Sequence, residues 1–130
     1  MKSFYYLATP YRAYPGGKQA AFEAVTEQAA LLLKARIPVF APIVHSHPID
    51  GILNEKEENI YLWLDGYFMK AAEGIIVCEL AGWDKSEGVD YEIRTFKNMN
   101  KQIIHMTPNV VPLFFNSFSS KVKAFIKNEH

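Results

Sequence analysis

Apolar positions fall along the chain in two rhythms, short continuous runs and longer stretches at helical spacing, and the two take turns from end to end. Phe4 to Ala8 (FYYLA) predicts a strand by its aromatic content, closed by Thr9-Pro10 because the residue before a proline is driven out of the helical region. Lys18 to Ala35 is alanine-rich and places Ala21, Val25, Ala29 and Leu32 on one helical face, and Ile37 to Phe40 predicts a second strand. Ala41 to Asn54 is expected to be a long loop, of the kind that serves as a lid or a substrate wall. Lys56 to Ala72 predicts a second helix with Ile60, Leu64, Tyr67 and Ala71 as its core stripe. Ile75 to Cys78 is a short, largely β-branched run bounded by Gly74 and Gly82, the pattern of a strand covered on both faces. Gln102 to Met106 predicts a fourth strand and Phe114 to Lys127 a closing helix. Strand and helix alternate throughout. The expected fold is therefore an α/β three-layer sandwich: a parallel, Rossmann- or flavodoxin-like sheet with right-handed crossovers and helices on both faces.

The helix after the Ile75 strand carries the most specific chemistry. Ser86 stands at its N-cap, and Val89, Ile93 and Phe96 form its apolar stripe. Gly88 lies in the first turn, where free backbone N–H groups and the helix dipole favour anions and a missing side chain lets a ligand approach. Glu92 follows four residues later on the same face, and helical side chains lean toward the N-terminus. Its carboxylate should overhang Gly88 and share a pocket with the Ser86 hydroxyl at the carboxyl end of a parallel strand. The plainer alternative, that Ser86 only caps and Glu92 is solvated, stays open on spacing alone. On the preceding helix, Tyr61, Asp65 and Met69 make a second face nearly as apolar as the core stripe. Burial there would raise the Asp65 pKa toward what a proton donor needs, although pairing with an arginine or capping a loop would also account for it.

Composition narrows the class. With 130 residues, 49% hydrophobic and 22% charged, residues 1–130 read as a single domain, and a formal net charge of zero argues against a broad nucleic-acid surface. Cys78 is the only cysteine and falls in a buried strand, so a disulfide framework is excluded and a reducing, cytoplasmic setting fits. No stretch approaches ~18 apolar residues, and Thr9-Pro10 interrupts the run after Met1-Lys2, so neither a membrane span nor a signal peptide is expected. The loop TPYRAYPGG resembles a phosphate loop only superficially, since Arg12 replaces the first glycine and Gln19 follows Lys18 where a magnesium-binding hydroxyl belongs. His45, His47 and Asp50 could begin a metal site, but such sites need three or four oriented ligands and no further histidine is near, so no metal is expected. His105 and His130 read as structural or incidental.

Taken together, YLATPYR at Tyr6 to Arg12, Asp65, the strand from Ile75 and SEGVDYE at Ser86 to Glu92 resemble the nucleoside 2-deoxyribosyltransferase superfamily, including its deoxynucleoside 5'-monophosphate N-glycosidase branch. Within it, the chain looks most like a group of small bacterial and phage proteins that share the SHP loop and a GW..S.G...E signature. The resemblance spans roughly Phe4 to Met106. It implies that Glu92 is the glutamate that attacks the anomeric carbon, that Asp65 contacts the base and helps it leave, and that Tyr6 orients the nucleophile. Ser86 stands where transferases hold an aspartate and monophosphate glycosidases a phosphate-binding serine, and Arg12 stands where the glycosidase branch has an arginine. Thr9-Pro10 departs from the glycine-containing turn of both branches. The resemblance further implies a homo-oligomer, since neighbouring subunits often complete the pocket in this superfamily.

These residues fit the chemistry independently. N-glycosidic cleavage passes through an oxocarbenium-like state, which a carboxylate stabilises or traps from below while an acid protonates the base. The expected activity is cleavage of, or deoxyribosyl transfer from, a 2'-deoxynucleoside or its 5'-monophosphate, without metal or organic cofactor. The expected partner is thus a small-molecule nucleoside or nucleotide. Glu92, Asp65 and Tyr6 would carry the reaction; Ser86, Gly88, Arg12, Tyr11, Thr9, His45 and His47 would surround the substrate. A non-catalytic nucleotide-binding module on the same fold is the alternative, and a metal-dependent hydrolase built on His45 and His47 a third.

Overall fold

A computed structural model describes residues 3–54 and 59–115, apart from the side chain of residue 59. Met1, Lys2, residues 56–58 of the expected second helix, residues 116–127 of the expected closing helix and His130 lie outside the described residues. Phe114 and Phe115 belong to a short 3-10 turn, Leu113–Phe115.

The sheet consists of β1 (Tyr5–Ala8), β2 (Val39–Phe40), β3 (Gly74–Cys78) and β4 (Gln102–Met106), in the order β2-β1-β3-β4 and parallel throughout. The helices are α1 (Lys18–Lys34), α2 (Pro42–Leu53), α3 (Asn59–Ala71) and α4 (Glu87–Asn98). Successive strand residues point to opposite faces, and both faces are covered. Tyr5, Leu7, Ile76, Cys78, Ile104 and Met106 pack with Val25 and Leu32 of α1, with Ile43 and Val44 of α2 against them. Tyr6, Ala8, Ile75 and Val77 pack on the other face with Met69 of α3 and Val89 and Phe96 of α4. The result is the three-layer α/β fold that the alternation of elements predicts.

Three local expectations are corrected. The segment from Ala41 to Asn54 is not a loop: Pro42 opens α2 at a position where its missing N–H is no loss, and Asn54 closes it in the left-handed conformation. Pro48 sits inside this helix on an exposed position, where the break in the hydrogen-bond ladder meets solvent. The second strand is only two residues long, because Pro38 has no amide for the ladder and contributes just its carbonyl, which accepts from the Tyr5 N–H at 2.8 Å. On α3 the stripe is shifted, with Ile60 and Leu64 half-buried like Tyr61 and Asp65. Met69 is buried while Tyr67 and Ala71 are exposed, so the face carrying Tyr61, Asp65 and Met69 is the one turned inward.

The chain leaves β1 for α1 on one side of the sheet and leaves β3 for α4 on the other. The carboxyl ends of β1 and β3 are therefore the point where the winding reverses, and a crevice opens there.

Candidate active site

Three elements converge on that crevice. Tyr6 of β1 is fully buried, its ring held against Phe96 at 5.6 Å between centroids, and its hydroxyl donates to Glu92 Oε2. Asp65 comes from α3 to the neighbourhood of the same hydroxyl, close enough that the phenol and this carboxyl shift one another's titration, so both carboxyl groups bear on one phenol. The alternation that turns Tyr6 toward α3 and α4, rather than α1, puts it there. Glu92 lies one turn beyond Gly88 on α4, as the i, i+4 spacing requires.

Burial dominates the electrostatics. It pushes the Glu92 carboxyl up to about 8, with Tyr6's hydrogen bond opposing and the Asp65 charge reinforcing the rise. It pushes Asp65 up to about 6, again opposed by Tyr6. Burial, followed by the two neighbouring carboxylates, holds the Tyr6 phenol well above its ordinary range. The raised Asp65 agrees in direction with the sequence reading. The raised Glu92 does not follow from it: burial favours the uncharged form of both carboxyls, and two acids this close titrate as a pair that holds one proton between them after the first has been lost. A hydroxyl between them donates to the ionised oxygen and accepts from the protonated one, so Tyr6 is suited to follow the proton from one carboxyl to the other.

These groups open into a cleft of about 700 Å³. Thr9, Tyr11 and Arg12 from the first loop, Ser86 and Gly88 from the start of α4, and Asp65 and Glu92 all line it. Ser86 caps α4, its oxygen accepting from the Val89 N–H at 3.2 Å, so capping and lining are roles of one side chain. A methyl group added to Gly88 would meet only Ser86 Oγ, at 3.8 Å, which leaves the backbone open to a ligand. The Thr9 hydroxyl is buried and has no partner among the described residues. Arg12 is exposed and lines the same cleft as Ser86 and Gly88.

His45 and His47 do not line this cleft. His47 Nδ1 meets the Tyr11 hydroxyl at 2.5 Å and Nε2 meets Gln19 Oε1 at 3.0 Å, while its ring stacks on Phe22 at 4.5 Å. Both nitrogens are thus engaged, Nδ1 anchoring α2 to the first loop and Nε2 anchoring it to α1. His45 is exposed, with its ring beside Phe40 at 6.1 Å. Among the described residues no group of three or more His, Cys, Asp or Glu side chains is placed to hold a metal ion. His105 sits beside Glu79 and Trp83, away from the cleft lining. Burial, and then Glu79, push the Cys78 thiol up to about 12, which leaves it no thiolate character near neutral pH.

Sequence reasoning missed several cleft residues. Asp50, Pro42, Ile43 and Ser46 line it from α2, and Lys18, Lys85, Tyr61, Leu62 and Tyr91 line it from elsewhere. Asp50 accepts from the Tyr61 hydroxyl at 2.6 Å, tying α2 to α3 at the mouth. The signal that could have found them was the pairing of Pro42 as a helix opener with Asn54 as a left-handed stop. Among the described residues no helix is long and apolar enough to cross a membrane.

None of the curated proteins matches this chain. Residues 3–108 match the model of the family described as a domain of unknown function, DUF1937, a span that takes in all four strands, all four helices and every cleft residue named above, and the chain belongs to that family.

Proposed function

We propose that this protein cleaves the N-glycosidic bond of a 2'-deoxynucleoside or its 5'-monophosphate, with Glu92 as nucleophile and Asp65 as proton donor. The observation that carries the reading is the convergence of Glu92 and Asp65 on one cleft, with the Tyr6 hydroxyl bonded to Glu92 and electrostatically coupled to both. In the reaction a Glu92 oxygen bonds to C1', the C1'–N bond breaks with its electrons on the base, and the Asp65 proton goes to a base nitrogen. Water then displaces Glu92 in hydrolysis, or a second base does so in transfer.

The reactive form needs the shared proton on Asp65 and the charge on Glu92. Substrate supplies the means, because hydrogen bonds donated to a carboxylate favour its charged form. A hydroxyl of the sugar directed at Glu92 would draw the proton through Tyr6 to Asp65, so that binding the sugar arms both groups. Ser86, the open backbone at Gly88 and Arg12 would receive the 5' end, where helix-start amides and a guanidinium suit a phosphate. Neither step calls for a metal or organic cofactor.

The raised Glu92 carboxyl also favours a second reading, a non-catalytic nucleotide-binding module, since a protonated glutamic acid is a poor nucleophile. Incubation with deoxynucleosides and their monophosphates, followed by chromatography of free base, separates the two. The glycosidase reading expects release fastest between about pH 6 and 8, where the pair holds one proton, and none from Glu92→Gln, whose amide neither bears the charge nor leaves C1'. Thermal stabilisation by ligand without release at any pH would mean a binder.

A further inference from the structure

The cleft is chemically divided. Its α4 side offers bare amides with Arg12 and Lys85 and carries Glu87, whereas its α2 and α3 side offers apolar walls, Ile43 and Leu62, around a further carboxylate, Asp50. Neither the reaction nor the phosphate-binding end uses Asp50. The Tyr61 hydroxyl donates to Oδ1 at 2.6 Å and so fixes the side chain, while Oδ2 has no partner among the described residues. Tyr61 and Asp65 lie four residues apart on one face of α3, about 6 Å along the axis. A flat ring with its departing nitrogen beside Asp65 and its long axis along this face of α3 would bring its far edge toward the Tyr61 hydroxyl and Asp50.

We propose that Asp50 selects the nucleobase, its unpartnered oxygen accepting an N–H from an exocyclic amine, so that amino-bearing bases are taken in preference to their oxo counterparts. The proposal rests on the glycosidic reading for the orientation of the ligand. Its basis is the carboxylate's one-sided chemistry: it accepts hydrogen bonds and donates none. An amine at the base edge meets it as a donor, whereas an oxo group puts two acceptors face to face and leaves both desolvated. The Tyr61 hydroxyl, committed to Oδ1, holds the acceptor in place so that it does not swing away from a mismatched base.

The test is calorimetric titration of the full chain carrying Glu92→Gln, so that nothing is consumed, with dCMP against dUMP and dAMP against dIMP. The amino member of each pair should bind about tenfold to a hundredfold more tightly. Adding Asp50→Asn keeps an acceptor for Tyr61 but offers an amide donor, and should erase or reverse the preference; Asp50→Ala should erase it without reversal. Equal affinities within each pair, no binding of any of the four, or a loss on Asp50→Asn that is the same for both members would overturn the proposal. The outcome is separable from that of the catalytic reading. An amino preference in a protein that releases no base sinks the glycosidase and keeps the selector, and base release without preference does the reverse.

Discussion

At the scale of residues, the arrangement at Tyr6, Glu92 and Asp65 sets function against stability. Both carboxyls titrate higher in the folded protein than in the unfolded chain, about 8 against 4.5 for Glu92 and about 6 against 3.8 for Asp65. Between those values the folded state holds more protons than the unfolded state, so stability falls as pH rises and levels off once both groups have ionised. Thermal unfolding followed by circular dichroism should give a Tm several degrees higher near about pH 5 than near about pH 8. Glu92→Gln removes the larger of the two titrations and should flatten that slope while raising Tm at the alkaline end. A slope unchanged in the variant would mean that Glu92 is not the buried acid described here. Only the type and spacing of these residues could be read from the chain. That both carboxyls would be raised depends on how deeply each sits, which α3 and α4 settle by their packing on the sheet.

Among the elements, α3 must be held in register for Asp65 to meet Tyr6, and its C-terminal end is fastened by a residue far along the chain. The Lys101 ammonium donates to the carbonyls of Met69, at 3.1 Å, and Ala72, at 2.8 Å, and also to that of Lys70, capping the last turn with a charge of favourable sign. Lys101→Met keeps the aliphatic stem and removes the three bonds. It should cost about 1–2 kcal/mol, or roughly 3–10 °C in Tm, and should weaken substrate binding by loosening Asp65. An unaltered Tm would mean that water replaces the ammonium without loss. Helix α2 makes the converse point about legibility. Its two prolines, Gly51 and its histidines read as loop residues, and its own propensity is poor. It is helical because Ile43 and Val44 pack on the core and because His47 and Asp50 find partners in Tyr11 and Tyr61.

For the molecule as a whole, the crevice exists because two loops from neighbouring strands are pressed together. Gly82 in the β3 to α4 loop has φ of +91°, and a Cβ there would lie 2.3 Å from the Ala13 carbonyl oxygen of the first loop. Backbone meets backbone at that point, so no side-chain adjustment can relieve a substitution. The left-handed conformation alone costs a non-glycine residue about 1–3 kcal/mol, and the contact adds to it. Gly82→Ala should lower Tm and, at temperatures where the variant is still folded, should weaken ligand binding as Arg12 and Gly88 move apart. A variant with native Tm and native ligand affinity would show that the two loops are not coupled through this contact.

Properties of short reach were settled along the chain itself. The order of the strands and of α1, α3 and α4, the cap at Ser86, the i, i+4 placement of Gly88 and Glu92 and the two-sided burial of the central strands all follow from neighbours within a few residues, where propensity and periodicity act. Other properties needed distant segments brought together. The inward face of α3, the helical state of α2, the meeting of Asp65 and Glu92 on one phenol and the pairing of Asp50 with Tyr61 each depend on contacts between separate elements. Burial and electrostatic coupling belong to the packed assembly, so a residue's spacing can nominate it for a site while only the tertiary fold decides its charge, its partner and the direction it faces.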